Sequence, residues 1–299
     1  MPGLSDYAAA NLLNWEAGGV AFPALPAVYL GLFTVAPTSD AGTGGTEVSG
    51  TGYARPQVGG SLATNGTTAS GNAILHFASV PAWIVAGMTV RDATTPAAIP
   101  AATTVLSTTG TTVTLSANAA GGGVGNGDMI TFSAFAAAAA SVGSAPSITP
   151  ASLTSSAIVT FPTSGSDWGT VVAFGLFDDP TAGHLLNWDY LGTFSWLPAT
   201  MSAASPGVIT ATAHGFSAAD SVVVTSKYGG TLPTFSQSNL TGILAVVSPA
   251  TDTFTVTNAA TAVNTSSTGD FSVRKLLKQA IPLGIVASFP AASLILYAA

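Results

Sequence analysis

The chain has 299 residues, enough for two or three domains of about 100–200 residues each, yet only 6% of them are Asp, Glu, Lys or Arg, against about 25% in an ordinary soluble protein. Six basic and thirteen acidic residues leave a net charge of −7. Only Arg274, Lys275 and Lys278 cluster, so the cation patch that nucleic-acid binding needs is missing. There is no cysteine, which rules out a disulfide framework and a thiolate metal site. A monomer this poor in charge has little to hold its copies apart, so much of the surface is expected to be buried against other subunits.

The elements begin with the one convincing helix. Ser5 can cap it, and Leu4, Ala8, Leu12 and Trp15 recur along one face at spacings of three and four, a candidate interface, before Gly18-Gly19 ends it. The start lacks the basic residues and long apolar core of a signal peptide. The run Ala27 to Phe33 is continuously apolar and predicts a strand covered on both faces. Thr38 to Gly52, with Asp40 and Glu47, reads as an exposed loop, and Pro56 places the next extended segment at an edge or at a strand start.

From about Gly71 to Phe132 the pattern becomes five short strands, around Leu75, Val90, Val105, Val113 and Ile130, separated by glycine turns. Such spacing predicts a small sandwich or barrel. Phe135 to Thr154 is Ala/Ser-rich and reads as a linker or loose strand region. Trp168 to Phe177 is the strongest strand signal and ends at the turn Asp178-Asp179-Pro180, with a further strand or two in Leu185 to Trp196. A second β module runs from about Ser202 to Val273. The uncharged tail from Ile281 has near-membrane length, but Pro282, Gly284, Pro290 and the alternation Ser293 to Tyr297 predict a turn and a buried terminal strand. The domain reading is therefore a discontinuous core of residues 1–70, 133–200 and 274–299, interrupted by inserted β modules at 71–132 and 201–273. The fold class is all-β: a sandwich-like core, two small inserted modules and one short N-terminal helix.

An ordered set of motifs carries a resemblance. Leu4-Ser5-Asp6-Tyr7-Ala8-Ala9 is followed by Val28-Tyr29-Leu30-Gly31-Leu32-Phe33-Thr34, then Gly44 to Gly50 and Gly52-Tyr53-Ala54-Arg55. Phe161-Pro162, Asp167-Trp168-Gly169-Thr170-Val171 and Gly175-Leu176-Phe177-Asp178 continue it. This resembles a family of phage tail-fibre proteins over core segments 1–60, 133–200 and 274–299, while the two inserts depart from the compact family pattern. The resemblance implies a virion protein near the tail, a homo-oligomer (a trimer is one form) bound to other proteins of the tail, neck or capsid, and made in the bacterial cytoplasm.

Enzyme chemistry finds little material. His76, His184 and His214 are far apart in sequence and lack the spacing of metal ligands. No nucleophile elbow, P-loop, dinucleotide fingerprint or zincin motif occurs. Asp178 and Asp179 are adjacent, so in extended chain they point to opposite faces, and with Pro180 they read as turn formers; a calcium site there is a lesser alternative. Trp188, Tyr190 and Trp196 could stack on sugar rings of a host polysaccharide, although core or interface burial explains them as well. The expectation is a non-enzymatic, cofactor-free, tail-fibre-like structural protein, without nucleic-acid or membrane binding. A capsid decoration protein and a carbohydrate-binding spike are the alternatives.

Overall fold

The computed structural model describes residues 3–17, 27–37, 44–138, 141–142, 148–149, 152–192, 196–226, 231–235 and 243–297. It is all-β apart from one helix, Asp6–Glu16. The largest sheet runs in the order Gly3–Leu4, Leu185–Tyr190, Ala173–Phe177, Val28–Val35, Gln57–Ala63, Met129–Ser133 and Thr89–Asp92, with Thr46–Glu47 added on Val28–Val35. Every pairing in it is antiparallel.

The apolar run Val28 to Phe33 lies where its composition places it, in the middle of this sheet. Successive side chains of a strand point to opposite faces. Leu30 and Leu32 accordingly enter one hydrophobic cluster, and Tyr29 and Phe33 enter another on the opposite face. Phe174 and Leu176 divide from Ala173 and Phe177 in the same way. Gly31 and Gly175 are direct partners across the pair. A Cβ on Gly31 would come 2.6 Å from the Phe177 ring, so the ring can cross the sheet only over a bare backbone.

All five short strands expected between Gly71 and Phe132 are present. Ile74–His76, Thr112–Leu115 and Val105–Thr108 form a three-stranded sheet of their own, while Thr89–Asp92 and Met129–Ser133 extend the large sheet. Leu75, Val113, Val90 and Phe132 join Leu30 and Phe174 in one cluster, so the first module shares both sheet and core with the rest of the chain.

The Ala/Ser-rich stretch forms strands rather than a linker where it is described: Phe135–Ala138 pairs with Ser152–Ser155, which pairs with Ile295–Tyr297. Val159–Thr163 pairs with Val286–Phe289, and Thr170–Val171 with Gln279–Ala280. The C-terminal tail thus returns to the centre as expected, with Leu294 and Leu296 buried. Among the described residues, no helix is long and apolar enough to cross a membrane.

The second module is a closed barrel. Leu197–Met201, Gly269–Leu276, Ser221–Ser226, Leu244–Val247, Thr253–Asn258 and Ile209–Thr210 follow one another around it, and Ile209–Thr210 closes the ring by pairing with both Leu197–Met201 and Thr253–Asn258. Phe254, Val256, Phe271, Val222 and Met201 fill a separate interior. Closure leaves no long unpaired edge among these strands.

Candidate functional site

The N-terminal helix is held at one edge of the large sheet. Gly3 and Leu4 pair with Trp188 and Asn187, and the Ser5 N–H donates to the Leu186 carbonyl at 3.0 Å. The Ser5 hydroxyl accepts the Ala8 N–H at 3.1 Å, which is the expected cap. In the first turn of the helix, the Tyr7 ring stacks on the His184 imidazole with centroids 3.8 Å apart and planes 5° from parallel. His184 Nδ1 lies 3.1 Å from the Asp178 carboxylate, which also accepts the His184 N–H. Of the expected apolar face, Leu4 and Ala8 are half-buried and Leu12 is exposed; the Trp15 side chain lies outside the described residues, as does Gly18-Gly19. Leu13, off that face, is 63% exposed, so two adjacent leucines, Leu12 and Leu13, are open to solvent.

Beside this edge lies a charge cluster that the sequence did not single out. Glu47 was expected in an exposed loop, but it sits in a short strand against Val28–Val35 and accepts two hydrogen bonds from Arg55, at 2.7 and 2.6 Å. Arg55 also donates to the carbonyls of Asp179 and Ala182, and its guanidinium lies 3.5 Å over the Phe177 ring. Burial works against the Arg55 charge, but Glu47 outweighs it and holds the guanidinium protonated more firmly than usual. The Tyr53 hydroxyl donates to Glu47 at 2.7 Å and accepts the Leu32 N–H at 2.9 Å; burial first, and Glu47 second, raise its pKa far above the ordinary phenol value. The missed signal was the spacing of Tyr53 and Arg55, which puts both on one face of an extended segment.

Asp178 and Asp179 are the turn formers expected. The Asp179 carboxylate accepts the Ala182 and Thr181 N–H groups, which hold its pKa below the usual range. Among the described residues, no group of three or more His, Asp or Glu side chains is placed to hold a metal. His76 lies in the first module, His184 in the turn and His214 in the barrel, where it is buried against Phe216 and Phe254. The three histidines do not converge.

The aromatic group proposed for sugar stacking is a joint. Trp188 is only 2% exposed, so its indole face is closed to a sugar ring. Tyr190 is half-buried and packs edge-on against Trp188, with centroids 5.4 Å apart. Trp196, also half-buried, lies 4.6 Å beneath the Arg274 guanidinium. Arg274, from the barrel strand Gly269–Leu276, forms a two-pronged ion pair with Asp189 of the sheet strand Leu185–Tyr190, and both side chains are at most 2% exposed. Asp189 also accepts the Tyr190 N–H at 2.7 Å. A buried ion pair therefore ties the barrel to the large sheet.

Two open depressions lie on the described surface. One, of about 650 Å³, lies on the barrel beside Thr200, Ser202, Thr210 and Asp270. The other, of about 480 Å³, lies on the first module beside Thr68, Thr95, Gly123 and Asp128.

Residues 3–136 match the family model described as Podophage GP4 fiber I protein gp80, which supports a phage tail-fibre-like family for this chain. The matched range 3–136 includes residues 71–132, the first module. Residues 137–200 and 274–299, which carried part of the sequence resemblance, lie beyond it. No curated protein and no solved structure matches the chain.

Proposed function

We propose that this chain is a non-enzymatic structural protein of a phage particle, working as an oligomer at the tail or neck. The observation that carries this reading is the fibre-family match, which takes in the helix, six of the eight strands of the large sheet and the whole first module. The helix and the sheet edge beneath it attach the protein to the particle, and the barrel projects. Outward-facing Leu12 and Leu13 supply apolar area for that attachment, and the scarcity of charge leaves little to repel a neighbouring copy.

The test is immunogold labelling of intact particles, read together with copy number from quantitative mass spectrometry. Gold confined to the tail or neck, at about a few to a few dozen copies in keeping with a closed oligomer, is the expected result. Gold spread over the head in hundreds of copies would replace this reading with a decoration protein. A chain carrying Leu12→Asp and Leu13→Asp should fold as the parent does, because both residues are exposed, and should fail to enter particles.

A further inference from the structure

We propose that the strand pair Val159–Thr163 and Val286–Phe289 is the surface through which one copy of this chain meets a second copy. The proposal rests on the oligomeric reading above and names its contact. Its first support is where charge is missing. Residues 129–166 and 279–299 contain no Asp, Glu, Lys, Arg or His. These stretches are distant in sequence but fold onto each other. Phe135–Ala138, Ser152–Ser155 and Ile295–Tyr297 make one sheet, and Val159–Thr163 with Val286–Phe289 makes another.

On the second of these sheets the two faces differ. Val159, Phe161, Ala287 and Phe289 are buried in the main hydrophobic cluster. By strand alternation the other face carries Ile158 and Val286, around the Thr160 and Ser288 hydroxyls, which lie 3.5 Å apart. The turn at one end adds Leu283 and Ile285, and these four aliphatic side chains are 44–67% exposed. The tip of such a turn is ordinarily Gly, Pro, Asn, Asp or Ser. Here Leu283 stands there, followed by Gly284 at φ +81°.

The sheet also has an open edge. The Ile285 carbonyl accepts the Ser164 N–H, so by alternation Ala287 and Phe289 turn their backbone groups toward Val159–Thr163, and Val286 and Ser288 turn theirs away. Among the described residues no strand pairs with Val286–Phe289 on that side. Natural sheets guard such an edge with charge, proline or a covering segment. Val286–Phe289 holds neither charge nor proline.

The chemistry of the surface selects its occupant. A partner presenting Lys, Asp or Glu would bury those charges where nothing pairs them. An antiparallel edge is complementary to itself across a twofold axis, because each outward N–H then finds the other copy's carbonyl. A second copy of this chain meets both conditions.

The experiment follows the whole chain by light scattering over a dilution series. The parent should associate into an even number of chains. Val286→Lys and Leu283→Lys change exposed side chains, so each should fold as the parent does and weaken association by about tenfold or more. The chain has no cysteine, so Ser288→Cys supplies a single thiol on this face. A short bis-maleimide should join it into covalent dimers, whereas Leu106→Cys, on a strand of the first module, should stay uncrosslinked. An oligomeric parent in which Ser288→Cys does not crosslink overturns the proposal, whether or not the lysine variants fold. So does an oligomer with an odd number of chains, and both results leave the oligomer itself standing. Lysine variants that keep the parent's mass but no longer enter particles would give the face to another particle protein and overturn the proposal as well. A parent that is monomeric throughout the series defeats the oligomer and this contact together, and leaves the fibre-family reading untouched.

Discussion

Arg274→Ala should be the most damaging single change at the joint between barrel and sheet. Asp189 is 1% exposed, so removing the guanidinium leaves a carboxylate that water cannot reach. Breaking a buried pair from one side costs about 3–5 kcal/mol, most of it the stranded charge. In a chain of this size that corresponds to a fall in melting temperature of roughly 10 °C. The loss of the guanidinium packed over Trp196 adds to the damage and also changes the tryptophan's surroundings, so fluorescence reports the joint directly. Asp189→Leu alone strands the arginine and should cost a similar amount. The double variant Arg274→Met with Asp189→Leu removes both charges and should recover to within about 1 kcal/mol of the parent. Chemical denaturation followed by tryptophan fluorescence measures all three. Single variants within 1 kcal/mol of the parent would refute the reasoning, since they would mean that water reaches the pair.

Tyr53→Phe keeps the ring but strands the Leu32 N–H and takes a donor from Glu47, so it should cost about 1–3 kcal/mol in the same assay. Because Tyr53 is held protonated far above the ordinary phenol range, an alkaline spectrophotometric titration should show it still un-ionised when exposed tyrosines have titrated. Acid should loosen the barrel through Asp220. Burial opposes its charge, but Lys275 at 2.8 Å and the Ser217 N–H at 2.8 Å prevail and hold its pKa below the usual carboxylate value. Its folded pKa is thus lower than its unfolded one. The stabilisation is complete above the unfolded value, about 3.9, and fades as pH falls through the folded value. Asp220→Asn should remove that part of the acid sensitivity, and melting curves between about pH 6 and pH 2 test it.

Strands were legible in this sequence wherever a local pattern decided them. Thr253–Asn258 alternates, with Phe254 and Val256 inside the barrel, and the continuous run around Leu30 is buried on both faces. What could not be read was partner choice. Trp168 to Phe177 looks like one strand, yet Thr170–Val171 pairs with Gln279–Ala280 while Ala173–Phe177 joins the large sheet. The first module looked separate because its strands are short and evenly spaced. Only the non-local pairing of Gln57–Ala63 with Met129–Ser133 reveals that the sheet passes through it. Site residues were open for the same reason. Trp188, Tyr190 and Trp196 near Asn187 and Asp189 allow both core or interface burial and a sugar platform, and only Arg274, 85 positions from Asp189, shows what the buried carboxylate pairs with. Glu47 in a Gly/Thr loop reads as solvated until Arg55 and Tyr53 fold over it.

The few charges of this chain hold segments together, and that shapes how copies of it should associate. Arg55 joins the Glu47 strand to the Asp179 turn, Arg274 joins barrel to sheet, and Lys275 joins two barrel segments. Half of the six basic residues are therefore committed to internal pairs. The surface left for a partner is rich in hydroxyls and aliphatics such as Leu13, Leu106 and Leu283, each more than half exposed. Contacts of that kind draw on burial of apolar area, which salt does not screen, whereas surface ion pairs weaken once the Debye length falls from about 10 Å to about 3 Å. Oligomers of this chain should accordingly keep their mass between about 0.1 M and about 1 M sodium chloride, the ionic strengths of those two screening lengths, when followed by light scattering. Dissociation into monomers at the higher salt would show that the interface is built from charges, and the uncharged strand pair would then not be its centre.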